Sequence, residues 1–356
     1  MIAFTFISLC QTIFTGDPVP AELAKPVEKG RWIVPAAEPV WGIKDGIRVG
    51  LWPTKGPRGL LRIYAPYLDQ PAGRVVNFIA VEPIVGGKRG YSELEHSRID
   101  NLPGLAMWTA DDFDPDPKPR NPWRPAQGRI IVERATQSLS FHLFVERFEN
   151  GAHAAIKVTL RQDRPYEVSL AAHSAKDSAP MKSCILTATM GNYGRLRDLW
   201  LRDETVRSTK LYGSDRLAEF GFFPSRTWSS DRMLKANGDY LVAMTTNEPN
   251  PAKSNGPNVH RAWQYVGKPA THYWKTNAAD PPPLVRVNAR KTYWPDRSGT
   301  ANLIPGGVSY ENFELDAPFQ PGREFRFGVT LEKPEAMGFS RIPLDQTKPQ
   351  SYPLIK

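Results

Sequence analysis

Residues 139–173 read LSFHLFVERFENGAHAAIKVTLRQDRPYEVSLAAH, and apolar and polar side chains alternate along most of the stretch. A period of two is the mark of a half-buried β-strand. Asn150-Gly151 is a strong two-residue hairpin signal. A tight turn there sets Phe148 opposite His153 and Phe141, Leu143 and Val145 opposite Leu160, Val158 and Ile156, forming one apolar face. A two-residue turn after Gln162 would place Val168 and Leu170 on the wrong face. A three-residue turn, Asp163-Arg164-Pro165, brings them beside Val158 and Ile156. The predicted unit is a meander of Leu139–Phe148, His153–Arg161 and Tyr166–His173.

The opposite face carries His142, Glu146, Lys157, Thr159, Arg161, Glu167, Ser169 and His173. It reads either as a solvated outer face with pairs such as Arg161–Glu167, or as a platform for a polar ligand. The same register puts Glu146, Ala155 and His173 in one row, with Glu146 and His173 about 9.6 Å apart.

Outward from the meander, further strand-like runs appear at Leu60–Tyr64, Arg74–Val85, Arg129–Arg134, Ser183–Met190, Tyr240–Thr245, Leu284–Val287, Val308–Leu315 and Glu324–Leu331. One segment reads as a helix: Asn192 caps it, Tyr193, Leu196, Leu199 and Trp200 share a face, and Asp198 reaches Arg202. The 34 prolines and 27 glycines among 356 residues imply many short elements joined by turns. Hydrophobic residues make up 40% of the chain, enough for a sizeable core. The expected fold is all-β, a large antiparallel β-sandwich of jelly-roll or supersandwich type with one or two short helices.

Residues 2–14 (IAFTFISLCQTIF) are almost wholly apolar, too short to span a bilayer, and resemble a secretory h-region. With small residues at Val19-Pro20-Ala21, residues 1–21 are expected to be a signal peptide and the protein to be secreted or periplasmic, without stable membrane insertion. Residues 22–58 read as an irregular lead-in, 59–335 as a single elaborated sandwich domain and 336–356 as a C-terminal tail. Cys10 and Cys184 are the only cysteines, so neither a disulfide framework nor a cysteine zinc site is available.

The net charge of +9 favours anionic partners, but no lysine-arginine block of the nucleic-acid-binding kind is present. Singly scattered arginines among aromatics suit carboxylate or sugar hydroxyl recognition. No Gly-x-Ser-x-Gly elbow, P-loop or His-Glu-x-x-His pair occurs. Asp111-Asp112-Phe113-Asp114-Pro115-Asp116 could offer oxygens to a structural calcium, but lacks the EF-hand glycine and terminal glutamate. No other metal and no organic cofactor is implied.

The densest acidic segment is Glu82–His96, EPIVGGKRGYSELEH. If Tyr91–Glu95 is a strand, Glu93 and Glu95 share a face with alpha carbons about 6.5–7 Å apart. Two such carboxyls, one protonated and one ionised, suit a glycosidic bond. Glu82 is a third candidate carboxyl, and Arg89 could hold one ionised or bind an acidic sugar. The segment resembles in part the Glu-x-Asp-x-x-Glu strand of laminarinase-like glycosidases. Glu95 stands in place of the Asp and Arg98 in place of the last Glu, so membership is not assigned.

A second cluster, His260, Arg261, Trp263, Tyr265, His272, Tyr273, Trp274, Tyr293 and Trp294, mixes rings that stack on sugars with groups that bind carboxylates and hydroxyls. Glu311, on the strand after Gly306-Gly307, is a weaker candidate carboxyl.

The expectation is an exported carbohydrate-active enzyme cleaving glycosidic bonds of a polysaccharide or oligosaccharide, neutral or anionic. Glu82, Glu93, Glu95 and His260 are its candidate catalytic residues, with Arg89, Arg261, Trp263, Tyr273, Trp274 and Trp294 on the substrate. One alternative is a polysaccharide lyase using His260 or Tyr273 as base and Arg261 on a uronic carboxylate. The other is a glycan-binding sandwich without catalysis.

Overall fold

A computed structural model describes residues 22–340 apart from 53, 55, 190, 192, 214, 218–220, 256–258, 260–263 and 295–301. The apolar N-terminal run with Cys10, the capping Asn192, and residues 341–356 lie outside the described residues. The first strands are β1 (Val27–Lys29), β2 (Trp32–Val34), β3 (Val40–Ile43), β4 (Arg48–Gly50), β5 (Leu60–Tyr64), β6 (Val75–Val85) and β7 (Lys88–Arg89). β8 (Met107–Ala110), β9 (Arg129–Glu133), β10 (Thr136–Val145), β11 (Ala154–Arg161), β12 (Arg164–Ser174) and β13 (Ser183–Thr189) follow. Next come β14 (Leu196–Trp200), β15 (Thr205–Arg207), the one-turn helix α1 (Ser208–Leu211), β16 (Arg226–Trp228), β17 (Leu234–Ala236) and β18 (Asp239–Thr246). The last are β19 (Thr271–Asn277), β20 (Leu284–Arg290), β21 (Ser309–Asp316) and β22 (Glu324–Thr330).

These strands form two eleven-stranded antiparallel sheets packed together, the large β-sandwich expected from the sequence. One sheet runs β1-β2-β3-β4-β5-β6-β13-β21-β20-β16, with β7 folded back on β6. The other runs β15-β14-β18-β19-β22-β12-β11-β10-β8, with β17 on β18 and β9 on β10. Among the described residues no helix is long and apolar enough to cross a membrane.

The inner faces follow the alternation of the sequence. Phe141, Leu143, Val145, Ile156, Val158, Leu160, Val168 and Leu170 are all buried in one core. Trp41 of the first sheet stacks on Phe141 of the second, with ring centroids 4.1 Å apart. Burying such a ring contributes about 1.5–3 kcal/mol. Ile79 and Val81 of β6 point into this core, while Phe78, Ala80 and Glu82 face outward.

Several expectations are corrected. In the first hairpin the pairs are Phe141 with Val158 and Leu143 with Ile156, two residues away from the expected register. Asn150-Gly151 does lie at the tip, but Phe148 N–H donates to Ala152 O, and the strands stop at Val145 and resume only at Ala154. A slip of two keeps every side chain on its face, so the core is unchanged. The row therefore runs Phe144, Ala155, His173, without Glu146. Glu146 instead accepts from the backbone N–H groups of Arg98 (2.5 Å) and Ala106 (3.2 Å).

The second turn is closed by an Arg161–Arg164 pair, and a bulge rather than a three-residue turn restores the predicted pairing of Leu160 with Val168. Arg161 pairs with Asp163, not with Glu167. Residues 22–58, read as an irregular lead-in, supply β1–β4, whose mostly three-residue strands are too short to show a period. The expected helix after residue 192 is strand β14. It is buried on both faces, so alternation is absent, and Asp198 pairs with Arg207 on β15.

Candidate functional site

The outward face of the first sheet gathers carboxyls around one arginine. β6 carries Glu82 outward, and the Gly86-Gly87 turn, at φ +56° and +79°, folds β7 back in register, Ile84 against Arg89. Two glycines take successive positive φ values at little cost, and the tight turn returns the Arg89 guanidinium over Glu82. Arg89 Nη2 donates to Glu82, to Glu314 Oε2 (2.8 Å) and to Thr187 Oγ1 (3.2 Å). Thr187 in turn donates to Glu82 Oε2 at 2.7 Å. Thr187 comes from β13 and Glu314 from β21, which stand opposite each other in the sheet.

After β7 the chain makes a single turn at Tyr91–Glu95, with Glu95 N–H donating to Tyr91 O, instead of the expected strand. Ser92 pins this turn: its hydroxyl donates to Gly59 O at 2.5 Å and accepts from Val81 N–H at 3.0 Å. A Cβ on Gly59, which sits at φ +71°, would lie 1.8 Å from Ser92 O, so the close approach requires glycine. Glu93 is thereby turned toward Glu82, while Glu95 points away. Glu95 accepts from Tyr91 N–H (2.9 Å) and from Glu149 N–H (2.8 Å) at the meander hairpin. Asn150 Nδ2 donates to Pro83 O (2.9 Å) and Lys88 O (3.0 Å), clamping the same hairpin to the β6–β7 turn. Glu95 is a strut rather than the second carboxyl of a pair.

Burial, the Glu82 charge and a side-chain hydrogen bond with Glu82 push the Glu93 carboxyl well above its ordinary range. Burial also raises Glu314 to about 7, against the pull of Arg89 and with the push of Glu82. Burial works against the charge on Arg89, yet Glu314 and Glu82 hold its pKa above the ordinary guanidinium value. The centre thus favours the protonated forms of Glu93 and Glu314 beside a charged guanidinium.

These groups floor a cavity of about 620 Å³. Phe78, Tyr91, Tyr193, Phe222 and Trp294 wall it, and Asn288 and Asn312 add polar contacts. Trp294 is 39% exposed. Its indole donates to Glu311 Oε1 at 2.7 Å, and the Arg290 guanidinium lies 4.1 Å from its ring centroid. Glu311 is buried and orients this ring without lining the cavity.

Of the sequence-predicted residues, Glu82, Arg89, Glu93 and Trp294 converge here. Tyr273 and Trp274 do not. Tyr273 is buried and crosses Gly328 to donate to Glu167 Oε1 at 2.9 Å. Trp274 is 1% exposed and donates to Phe313 O, so neither ring has a face for a sugar. His260, Arg261 and Trp263 lie outside the described residues. Glu314, Thr187 and Asn312 were not singled out as site residues. The signal for them was the inward pairs Phe313 and Leu315, which force Asn312 and Glu314 outward, and Leu186 and Ala188, which do the same for Thr187.

In the acidic stretch, Asp111 accepts from Gly128 N–H, Asp112 pairs with Arg129, and Asp114 accepts from Asp116 N–H. Among the described residues no group of three or more His, Cys, Asp or Glu is placed to hold a metal. No family model, curated protein or solved structure matches this chain.

Proposed function

We propose that the protein is a carbohydrate-active hydrolase that cleaves a glycosidic bond in a neutral oligosaccharide or polysaccharide. The observation that carries this is the convergence of Glu82, Glu93 and Glu314 on Arg89 beneath an aromatic-walled cavity. Glycoside hydrolysis needs a carboxyl that is protonated near neutral pH beside one that is not. Glu93 is the proton donor to the glycosidic oxygen as the C–O bond breaks. The Glu82 carboxylate, oriented by Arg89 and Thr187, faces the positive charge that develops on the sugar. Water adds to that carbon and its proton passes to Glu314; solvent then takes that proton and returns one to Glu93, which closes the cycle. Tyr91 and Trp294 supply the ring faces on which a sugar stacks.

Arg89 sets its charge against Glu82 and Glu314 through Nη2, so the floor carries no net positive charge to draw a uronic acid. A neutral sugar therefore suits the floor better than an acidic one. The lyase reading loses Tyr273, which is held by Glu167 away from the cavity. Export to a secreted or periplasmic location belongs to this proposal on the strength of residues 2–14 alone.

Purified protein should release reducing ends from neutral glycans without the ultraviolet absorbance of an unsaturated product. Appearance of that absorbance would replace hydrolysis by elimination. Tight glycan binding with no product would leave a binding protein.

A further inference from the structure

β9 is exposed along its whole length, with Ile130 at 45%, Ile131 at 37% and Val132 at 64% exposure. Arg134 and Ala135, both at positive φ (48° and 75°), join it to β10 by a two-residue turn that pairs Glu133 with Thr136. Such a turn is flanked by a hydrogen-bonded pair, and the pattern alternates from there. Glu133, Ile131 and Arg129 thus aim their N–H and C=O groups at β10. Gln162 N–H donates to Gln137 O on the β11 side, which is the same phase read from the other edge of β10. The main-chain groups of Ile130 and Val132 therefore point away from the sheet. Among the described residues no strand pairs with them, β8 taking the same side of β10 only farther along, at His142–Val145.

We propose that this edge is a dimerisation seam, occupied by β9 of a second copy of the chain running antiparallel about a two-fold axis at Ile131. The sequence Arg129-Ile130-Ile131-Val132-Glu133 is self-complementary in that register. Ile131 meets its own copy, Ile130 meets the partner's Val132, and Arg129 meets the partner's Glu133 on both sides of the axis. The hydrogen-bonding phase agrees: Ile130 and Val132 form the hydrogen-bonded pairs. Arg129 and Glu133 fall in the closer non-hydrogen-bonded pairs, where side chains approach best. Sheet edges are ordinarily guarded by a charge or proline within the strand. Here the charges sit at the two ends with opposite sign, which repels other edges and attracts this one. A slip of two residues loses both ion pairs, and a slip of one breaks the hydrogen-bonding phase. Arg129 also pairs with Asp112 of its own chain, so the guanidinium is already held at the seam.

The test is sedimentation velocity of the full chain over a concentration series, with thermal melting of each variant. A concentration-dependent dimer is expected. Val132→Pro removes only an N–H that faces away from β10, so the variant should be monomeric with a nearly unchanged melting temperature. Glu133→Arg and Arg129→Glu should each weaken the dimer, and the double swap should restore it. A monomer at every concentration would overturn the proposal, as when residues 1–21 or 341–356 of the same chain cover this edge. A dimer unaffected by Val132→Pro would also overturn it. Loss of the dimer in Val132→Pro without rescue by the double swap would overturn the register.

Discussion

Glu93 faces Glu82 on the floor of the cavity, and burial together with the Glu82 charge holds the Glu93 carboxyl well above its ordinary range. This one contact joins the turn after β7 to the middle of the first sheet. It depends on a glycine 33 residues before Ser92, because Ser92 sits on the carbonyl of Gly59.

Glu93 and Glu314 make stability depend on pH in a definite direction. Glu93 and Glu314 bind protons more tightly folded than unfolded, where their ordinary value is 4.5. Their contribution is therefore greatest below that value and is lost as pH rises toward and through about 7 for Glu314, and higher for Glu93. Glu93→Gln mimics the protonated acid, so its melting temperature relative to the wild type should climb as pH is raised from acid to mildly alkaline. A difference that is flat with pH would show that Glu93 titrates normally.

Arg89→Met removes the cation between Glu82 and Glu314. Leaving buried carboxylates without their partner costs about 3–5 kcal/mol when they must stay charged. Protonation relieves that cost, so the loss measured by denaturant unfolding should shrink as pH falls from neutral to acid. A loss that is independent of pH would point to packing rather than charge.

Gly59→Ala places a methyl 1.8 Å from Ser92 O at a positive φ, so the Ser92 turn must move. A lower melting temperature is expected, with a cost of about 1–3 kcal/mol for the backbone strain. The fall in turnover should be larger than the same loss of stability produces from the core. Phe141→Ala supplies that comparison: emptying the ring that stacks on Trp41 should cost about 3–5 kcal/mol while leaving turnover of the folded fraction intact. Equal effects on turnover would detach Gly59 from the site.

What the sequence disclosed follows local period. The meander faces were legible because a two-residue slip preserves side-chain parity, so the wrong register still buried Phe141 and Leu143. β6 was legible for the same reason, and with it Glu82. β14 was misread because burial on both faces erases alternation and leaves Leu196, Leu199 and Trp200 at a helix-like spacing. Glu95 was misassigned because Gly59, distant in sequence, decides that residues 91–95 turn instead of extending. Glu314 escaped notice because only the long-range pairing of β13 with β21 brings it to Arg89.

The most direct measurement is turnover of neutral oligosaccharides by wild type, Glu93→Gln and Glu95→Gln, each with its melting temperature. Loss of a general acid lowers rate by roughly 100- to 10,000-fold. Glu93→Gln should show that loss with an equal or higher melting temperature. Glu95→Gln should keep turnover within a few-fold and lose some stability with its bonds to Tyr91 and Glu149. Full turnover in Glu93→Gln, or loss confined to Glu95→Gln, would contradict the assignment of the cavity as a hydrolytic centre.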